Sequence, residues 1–192
     1  MTLRSALLGA AIVLTPLPAL AQEWEVDPSH SNILFSVEHF GFADIKGVFR
    51  EFEADVTFDP EDLGATEASV TIDAASIDTF WEARDEHIKS GDMFDVENFP
   101  EITFVSTDVT VTGDATAELT GDLTLHGETH PVTFEAVLNK IDANPFDSEK
   151  RNAGFTITGV VDRSLFGVDY AAPMVATEIP VTINVELIGP AE

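Results

Sequence analysis

The sequence predicts an all-β protein, an eight-stranded antiparallel barrel with an interior apolar tunnel and one short helix. Three observations carry this. Apolar and polar residues alternate with period two in eight separate segments, as expected for strands with one solvated face. The connections are short and lack the strand–helix–strand rhythm of parallel sheets. Only one segment reads as a helix. Closure of eight strands removes exposed sheet edges and leaves room for side chains or one ligand. On alternation alone, a two-sheet sandwich stays open as the competitor.

The first strand places Ile33, Phe35 and Val37 on one face, with His39 in the same parity. Phe52, Ala54, Val56 and Phe58 alternate next, and Phe49 differs from Phe52 in parity, which predicts a bulge near Arg50–Glu51. Ala68, Val70 and Ile72 form the third strand. The helix follows over 79–90, with Thr79 and Glu82 spaced as a capping box and Gly91 as a left-handed stop. Ile102 and Phe104 resume the alternation. Leu119 to Leu125 and Val132 to Leu138 flank His126-Gly127, read as a two-residue hairpin turn with Leu125 opposite Glu128 and His130 opposite Leu123. Residues 142–150 are a loop. Phe155 to Val161 and Ile179 to Leu187 complete the eight.

Residues 1–21 read as a secretory signal peptide: Arg4, an apolar run over 6–14, then Ala19-Leu20-Ala21 before the cut. The apolar run is too short to span a bilayer. The expected mature domain is 22–192, beginning at Gln22, exported to the periplasm. The chain has no cysteine. Thiol chemistry, Cys-ligated zinc, iron–sulfur clusters and disulfides are therefore excluded. Lys plus Arg number 9 against 35 Asp plus Glu, a formal charge of −26. Removing Arg4 with the leader makes it −27. Such a chain has no basic footprint for nucleic acid and is repelled by anionic membranes. The acids are scattered as on a solvated surface, and no D-x-D-x-D-G calcium loop occurs.

An ordered set of residues then points to a family. It runs from Trp24, Asp27 and His30-Ser31 through Phe35, Val37, His39 and Gly47-Val48-Phe49. Its most specific part is Ser76-Ile77-Asp78-Thr79 with Arg84-Asp85, His87, Ser90, Asp92 and Phe94. Pro100, Phe104 and Ser106 follow, then GDLTLHGETHPVTF at 121–134 and Arg163 with Phe166-Gly167. On these residues the chain resembles the YceI family of secreted, lipocalin-like barrels. The resemblance implies an apolar tunnel for an isoprenoid, polyprenyl quinone, polyprenyl phosphate or fatty-acyl lipid, and no established catalysis. His126 before Gly127 and the bulky Phe80-Trp81 depart from the family pattern, the second at the tunnel mouth.

The candidate ligand-binding residues are Phe35, Val37, His39, Phe52, Val70, Ile72, Arg84, His87 and Phe104. Arg84 and His87 share a helix face, as head-group contacts or as pins holding the helix to the barrel. Asp85 and Lys89 are spaced to pair on the surface, and Asp78 to extend the cap. His39 is a head-group contact or a satisfied core histidine. Arg163 reads as a rim salt bridge. Fourteen Phe against one Tyr and two Trp bring apolar area without a polar handle, and either fill a core or line a cavity. No G-x-S-x-G or H-E-x-x-H motif occurs, so no catalytic residue and no metal site is assigned. No cofactor is expected beyond a bound isoprenoid, quinone or fatty-acyl lipid. The competing readings are a non-catalytic stress or interaction protein partnering a membrane quinone or cytochrome system, and a hydrolase of lipid amides or esters. A homodimer is compatible with either binding role, and stable membrane insertion is not expected.

Overall fold

A computed structural model describes residues 24–191. The expected leader, its cleavage site and the new N-terminus at Gln22 lie outside these residues. Among them, no helix is long and apolar enough to cross a membrane.

In chain order the elements are β1 (Glu25–Val26), β2 (Asn32–His39), β3 (Ala43–Phe49), β4 (Phe52–Thr57), β5 (Glu67–Asp73), β6 (Ile77–Asp78), α1 (Glu82–Lys89), β7 (Glu101–Gly113), β8 (Thr116–Leu125), β9 (Glu128–Ala143), β10 (Lys150–Asp162) and β11 (Glu178–Pro190). All pairings between named strands are antiparallel, in the order β4-β5-β7-β8-β9-β10-β11-β2-β3-β6, with β1 added beside β11.

Eleven strands replace the eight expected, because β1 is a two-residue addition beside β11 and two of the eight lengths are each split in two. β3 and β4 are one length of chain interrupted at Arg50–Glu51, and β5 and β6 are one length interrupted by a 3-10 turn at Ala74–Ser76. The two lengths face each other, with Phe49 opposite Ile77 and Phe52 opposite Ile72. The ends of the sheet order therefore meet, and the sheet curls into a ring of eight staves. The irregularity expected at Arg50–Glu51 is present, but the extra residues belong to the facing length. Four residues there stand against two, held by Arg50 N–H to the Ser76 carbonyl and Asp73 N–H to the Glu51 carbonyl. This lets Phe49 and Phe52 both face inward despite opposite parity.

The hairpin reading holds in detail. Leu125 pairs with Glu128 and Leu123 with His130. His126 (φ 51°) and Gly127 (φ 77°) are both left-handed, as a twisted two-residue turn requires.

The helix start differs from the capping-box reading. Trp81 occupies the N-cap, with no side-chain cap bond, and Ser90 the C-cap. Gly91 is not left-handed; Asp95 is, at φ 48°. Thr79 is instead spent on tertiary contacts, because the chain at 79 still belongs to the wall that β6 has just left.

Candidate functional site

The staves enclose one cavity of about 460 Å³. Its polarity is graded along the strands. On β2 the inward residues run Ile33, Phe35, Val37, His39, and on antiparallel β11 they run Ile179 to Leu187, with Val181 opposite Phe35. The Leu187 end is apolar apart from the hydroxyls of Thr66 and Thr116 and carries no charged or imidazole side chain. There Phe58 stacks edge-on against Trp24 and Phe155, each at 5.2 Å between ring centres, and closes the base. The His39 end carries Thr79, Arg84, His87, Arg163 and Tyr170. It forms a polar mouth over a greasy shaft.

All nine candidate residues line this one cavity. Phe35, Phe52, Val70, Ile72 and Phe104 belong to the shaft, Val37 lies just below the mouth, and His39, Arg84 and His87 lie at it. The rings lie flat. A Cβ on Gly47 would fall 2.2 Å from the Phe35 ring and one on Gly121 2.4 Å from Phe104. These glycines stand inside the ring contact, so the phenyl groups press on the wall and leave the lumen open.

The helix is pinned to the barrel by a buried polar chain. Asp85, expected on the surface beside Lys89, is buried and accepts from Thr79 N–H at 2.9 Å and Thr79 Oγ1 at 2.5 Å. Lys89 pairs with Glu86 instead, at 3.5 Å. Arg84 Nε donates to Thr79 Oγ1 at 2.7 Å and Nη2 to the Thr79 carbonyl at 2.6 Å. Two of its nitrogens thus clamp the helix, as the pinning reading expects, and the side chain also lines the cavity wall. Asp78 accepts from the Phe80 N–H at 2.8 Å and from Arg50 at 2.7 and 3.0 Å. The Arg50 hydrogen bond, then the Phe80 N–H, lower its pKa.

His87 packs edge-on against Tyr170 at 4.7 Å and stands 3.8 Å from Asp92. Tyr170 was missed from sequence. Its signal was available, since it is the one tyrosine beside fourteen phenylalanines, and a phenol is chosen where one end of a ring meets polar surroundings. His39 pairs with Val175 and touches the Phe40 ring at 4.3 Å. Arg163 is not a rim salt bridge. Its guanidinium is buried and donates to the carbonyls of Val168, Tyr170, Val175 and Ala176. Burial lowers its pKa, partly offset by Asp169 and Asp162. It fixes the loop that carries Tyr170.

His126 caps the turn against Phe99 and the Phe166 carbonyl, and His130 packs on Phe166. Among the described residues, the one group spaced like metal ligands is Asp27, His30 and Glu186, outside the cavity. His30 Nδ1 is 2.7 Å from Asp27 Oδ2. Hydrogen bonds from Ser29 and His30 lower the Asp27 pKa to about 2, and the Asp27 bond raises that of His30. Ser29 Oγ donates to Asp27 and meets the same imidazole nitrogen, so this trio is a local turn lacking the nucleophile–base–orienter order of a triad.

The YceI-like domain family matches residues 24–187. A UPF0312 protein of Pseudomonas putida (strain W619) is 39% identical over 163 residues, covering 84% of this chain and 83% of the relative. Protein YceI of Salmonella arizonae is 34% identical over 179 residues, 92% of each chain. Among solved structures, Burkholderia cenocepacia BcnA superposes with a TM-score of 0.72 at 25% identity, covering 84% of this chain and 99% of that one. A polyisoprenoid binding domain from Saccharophagus degradans, implicated in plant cell wall breakdown, superposes at 0.67 with 12% identity, covering 88% and 99%, which shows a shared fold.

Proposed function

The chain belongs to the YceI-like family, and from that premise we propose that it binds a long-chain amphiphilic lipid, an isoprenoid or a fatty-acyl or quinone relative, and carries or sequesters it in the periplasm. The single observation that carries this reading is the graded cavity: a shaft plugged by aromatic rings around Phe58 at its base, with every charged or imidazole side chain of its lining gathered at the mouth. A tail enters the shaft and a polar head stays among His39, Arg84, His87 and Tyr170. The polyisoprenoid-binding neighbour of the same fold supports the ligand class. Catalysis is not part of the proposal: the Ser29–His30–Asp27 trio lies off the cavity wall.

Each CH₂ buried from water is worth about 0.8 kcal/mol. A tail that leaves a bilayer exchanges one apolar medium for another and gains almost none of this. Extraction therefore depends on packing against the shaft and on the head group.

Native mass spectrometry of protein purified from a bacterial host should show a co-purifying lipid, released intact. A lipid recovered as its cleavage product would favour the hydrolase. Phe104→Glu places a charge in the shaft and should abolish binding of a fluorescent prenyl probe while circular dichroism shows the fold retained. Unchanged affinity in the folded variant would overturn the proposal.

A further inference from the structure

Around the mouth, three separate segments expose large apolar side chains. The β2–β3 hairpin presents Phe42, 89% exposed, and Phe40. The turn before α1 presents Phe80 and Trp81, 71% and 62% exposed. The loop after β10 presents Tyr170 and Met174. They are brought to one end by contacts between the segments: Phe40 N–H donates to the Met174 carbonyl, His39 pairs with Val175, and His87 of α1 packs on Tyr170. Arg84, at the mouth, stacks over Trp81 at 5.5 Å.

The exposure is held in place at some cost. Phe40 (φ 55°) and Phe80 (φ 67°) are bulky residues in the left-handed region, where strain tends to mark a working surface. Each is fixed there by its own N–H, bonded to Met174 and to Asp78 respectively.

Resting on the lipid-binding reading above, we propose that this aromatic rim seats the mouth of the barrel on the interface of a zwitterionic bilayer. Trp, Tyr and Phe rings partition at the boundary between head groups and acyl chains. A bilayer against this face covers the entrance through which a lipid must pass, whereas a protein or a second copy seated there would stopper it. Charge selects among bilayers. Asp44, Glu82 and Asp169 stand exposed beside the rim and the chain carries −26 overall, so anionic head groups are repelled. The rim holds the protein by ring insertion alone, which suits brief visits.

The chain contains a reporter. It has two tryptophans, and Trp24 is 5% exposed at the opposite end. Phosphatidylcholine vesicles should shift emission to the blue, and brominated acyl chains should quench it, through Trp81. The triple variant Phe42→Ser, Phe80→Ser, Met174→Ser, which spares the Trp81 ring stacked on Arg84, should lose at least about tenfold in vesicle co-sedimentation, the equivalent of one partly buried ring or more. Its melting temperature should not fall, and it should still bind a prenyl probe in vesicle-free solution. Phe146→Ser, an exposed ring in the β9–β10 loop, should sediment as the parent does, and phosphatidylglycerol vesicles should bind more weakly than phosphatidylcholine. Phe104→Glu separates the two proposals: it should lose the probe and keep the vesicles. Absent sedimentation of the parent protein, undiminished sedimentation of the triple variant, or self-association through this rim that excludes vesicles would each overturn the docking proposal, whatever becomes of probe binding.

Discussion

The pairing of a ring with a cross-strand glycine decides, residue by residue, whether this barrel is solid or hollow. Phe35 lies over Gly47, its partner in the ladder, and Phe104 lies over Gly121. A methyl group at Gly121 would meet the Phe104 ring at 2.4 Å and the Val105 carbonyl at 2.5 Å. Gly121→Ala should therefore drive the ring into the lumen and destabilise the protein by about 1–3 kcal/mol, read by urea unfolding. Gly47→Ala should be rescued by Phe35→Leu, a coupling that a double-mutant cycle would measure and that an unrelated pair would lack. Outside the cavity, the Asp27–His30 pair gives a pH signature. The His30 pKa is raised above 6.5, so its stabilising contribution is complete below that value and is lost as pH rises through the folded pKa. The Asp27 pKa is depressed from 3.8 to about 2, so its contribution is present above 3.8 and is lost as pH falls toward 2. His30→Ala should lower the melting temperature near pH ~5 and leave it unchanged near pH ~9. An equal drop at both would show that the ring acts by packing alone.

At the scale of elements, α1 shows why local sequence rules reached the strands and missed the clamp. Thr79, Glu82 and the spacing of Asp85 and Lys89 matched helix signals, each calculated for an isolated helix. The barrel wall competes for the same groups and wins. Thr79 is buried, its N–H and hydroxyl need partners there, and Asp85 supplies both. Asp85→Ala should leave those donors unsatisfied and cost about 3 kcal/mol in chemical denaturation. Arg84→Lys should also lower stability, because a single ammonium cannot span the Thr79 hydroxyl and carbonyl as the guanidinium fork does. His87→Ala removes a ring that touches Tyr170 and no part of the clamp. It should weaken binding of a head-bearing lipid more than of a headless hydrocarbon of equal length. Equal loss for both, with a falling melting temperature, would make His87 a clamp residue too. The eight staves were legible because alternation is a local pattern. The joining of β3 to β4 and of β5 to β6 was legible only as the parity conflict between Phe49 and Phe52, since the extra residues sit on the facing strand.

At the scale of the molecule, the open question from sequence was whether fourteen phenylalanines fill the barrel or line it. Composition cannot answer this, because both outcomes use the same rings. The inward glycines at 121 and 159 stood in plain view among the alternating residues, and the structure gives them meaning as the floors on which Phe104 and Phe134 lie. The base behaves oppositely. Trp24, Phe58 and Phe155 meet edge to face, and Phe58 is almost wholly buried, so the shaft has a bottom. On the proposed function, a tail entering from the mouth descends as far as Phe58. Affinity for free prenyl or acyl ligands, titrated from water, should thus rise by roughly fourfold per methylene buried and then stop rising. Tail carbons beyond that point remain in solvent or fold back at the mouth and add nothing. Phe58→Leu shortens the plug at a cost of about 1–2 kcal/mol in stability. It should move the break to longer tails while leaving affinity for short tails nearly unchanged. A tail-length series showing no break in the parent protein, or an unmoved break in a folded Phe58→Leu variant, would mean that the tail runs past this plug or never reaches it, and the shaft would have to be read as open at both ends.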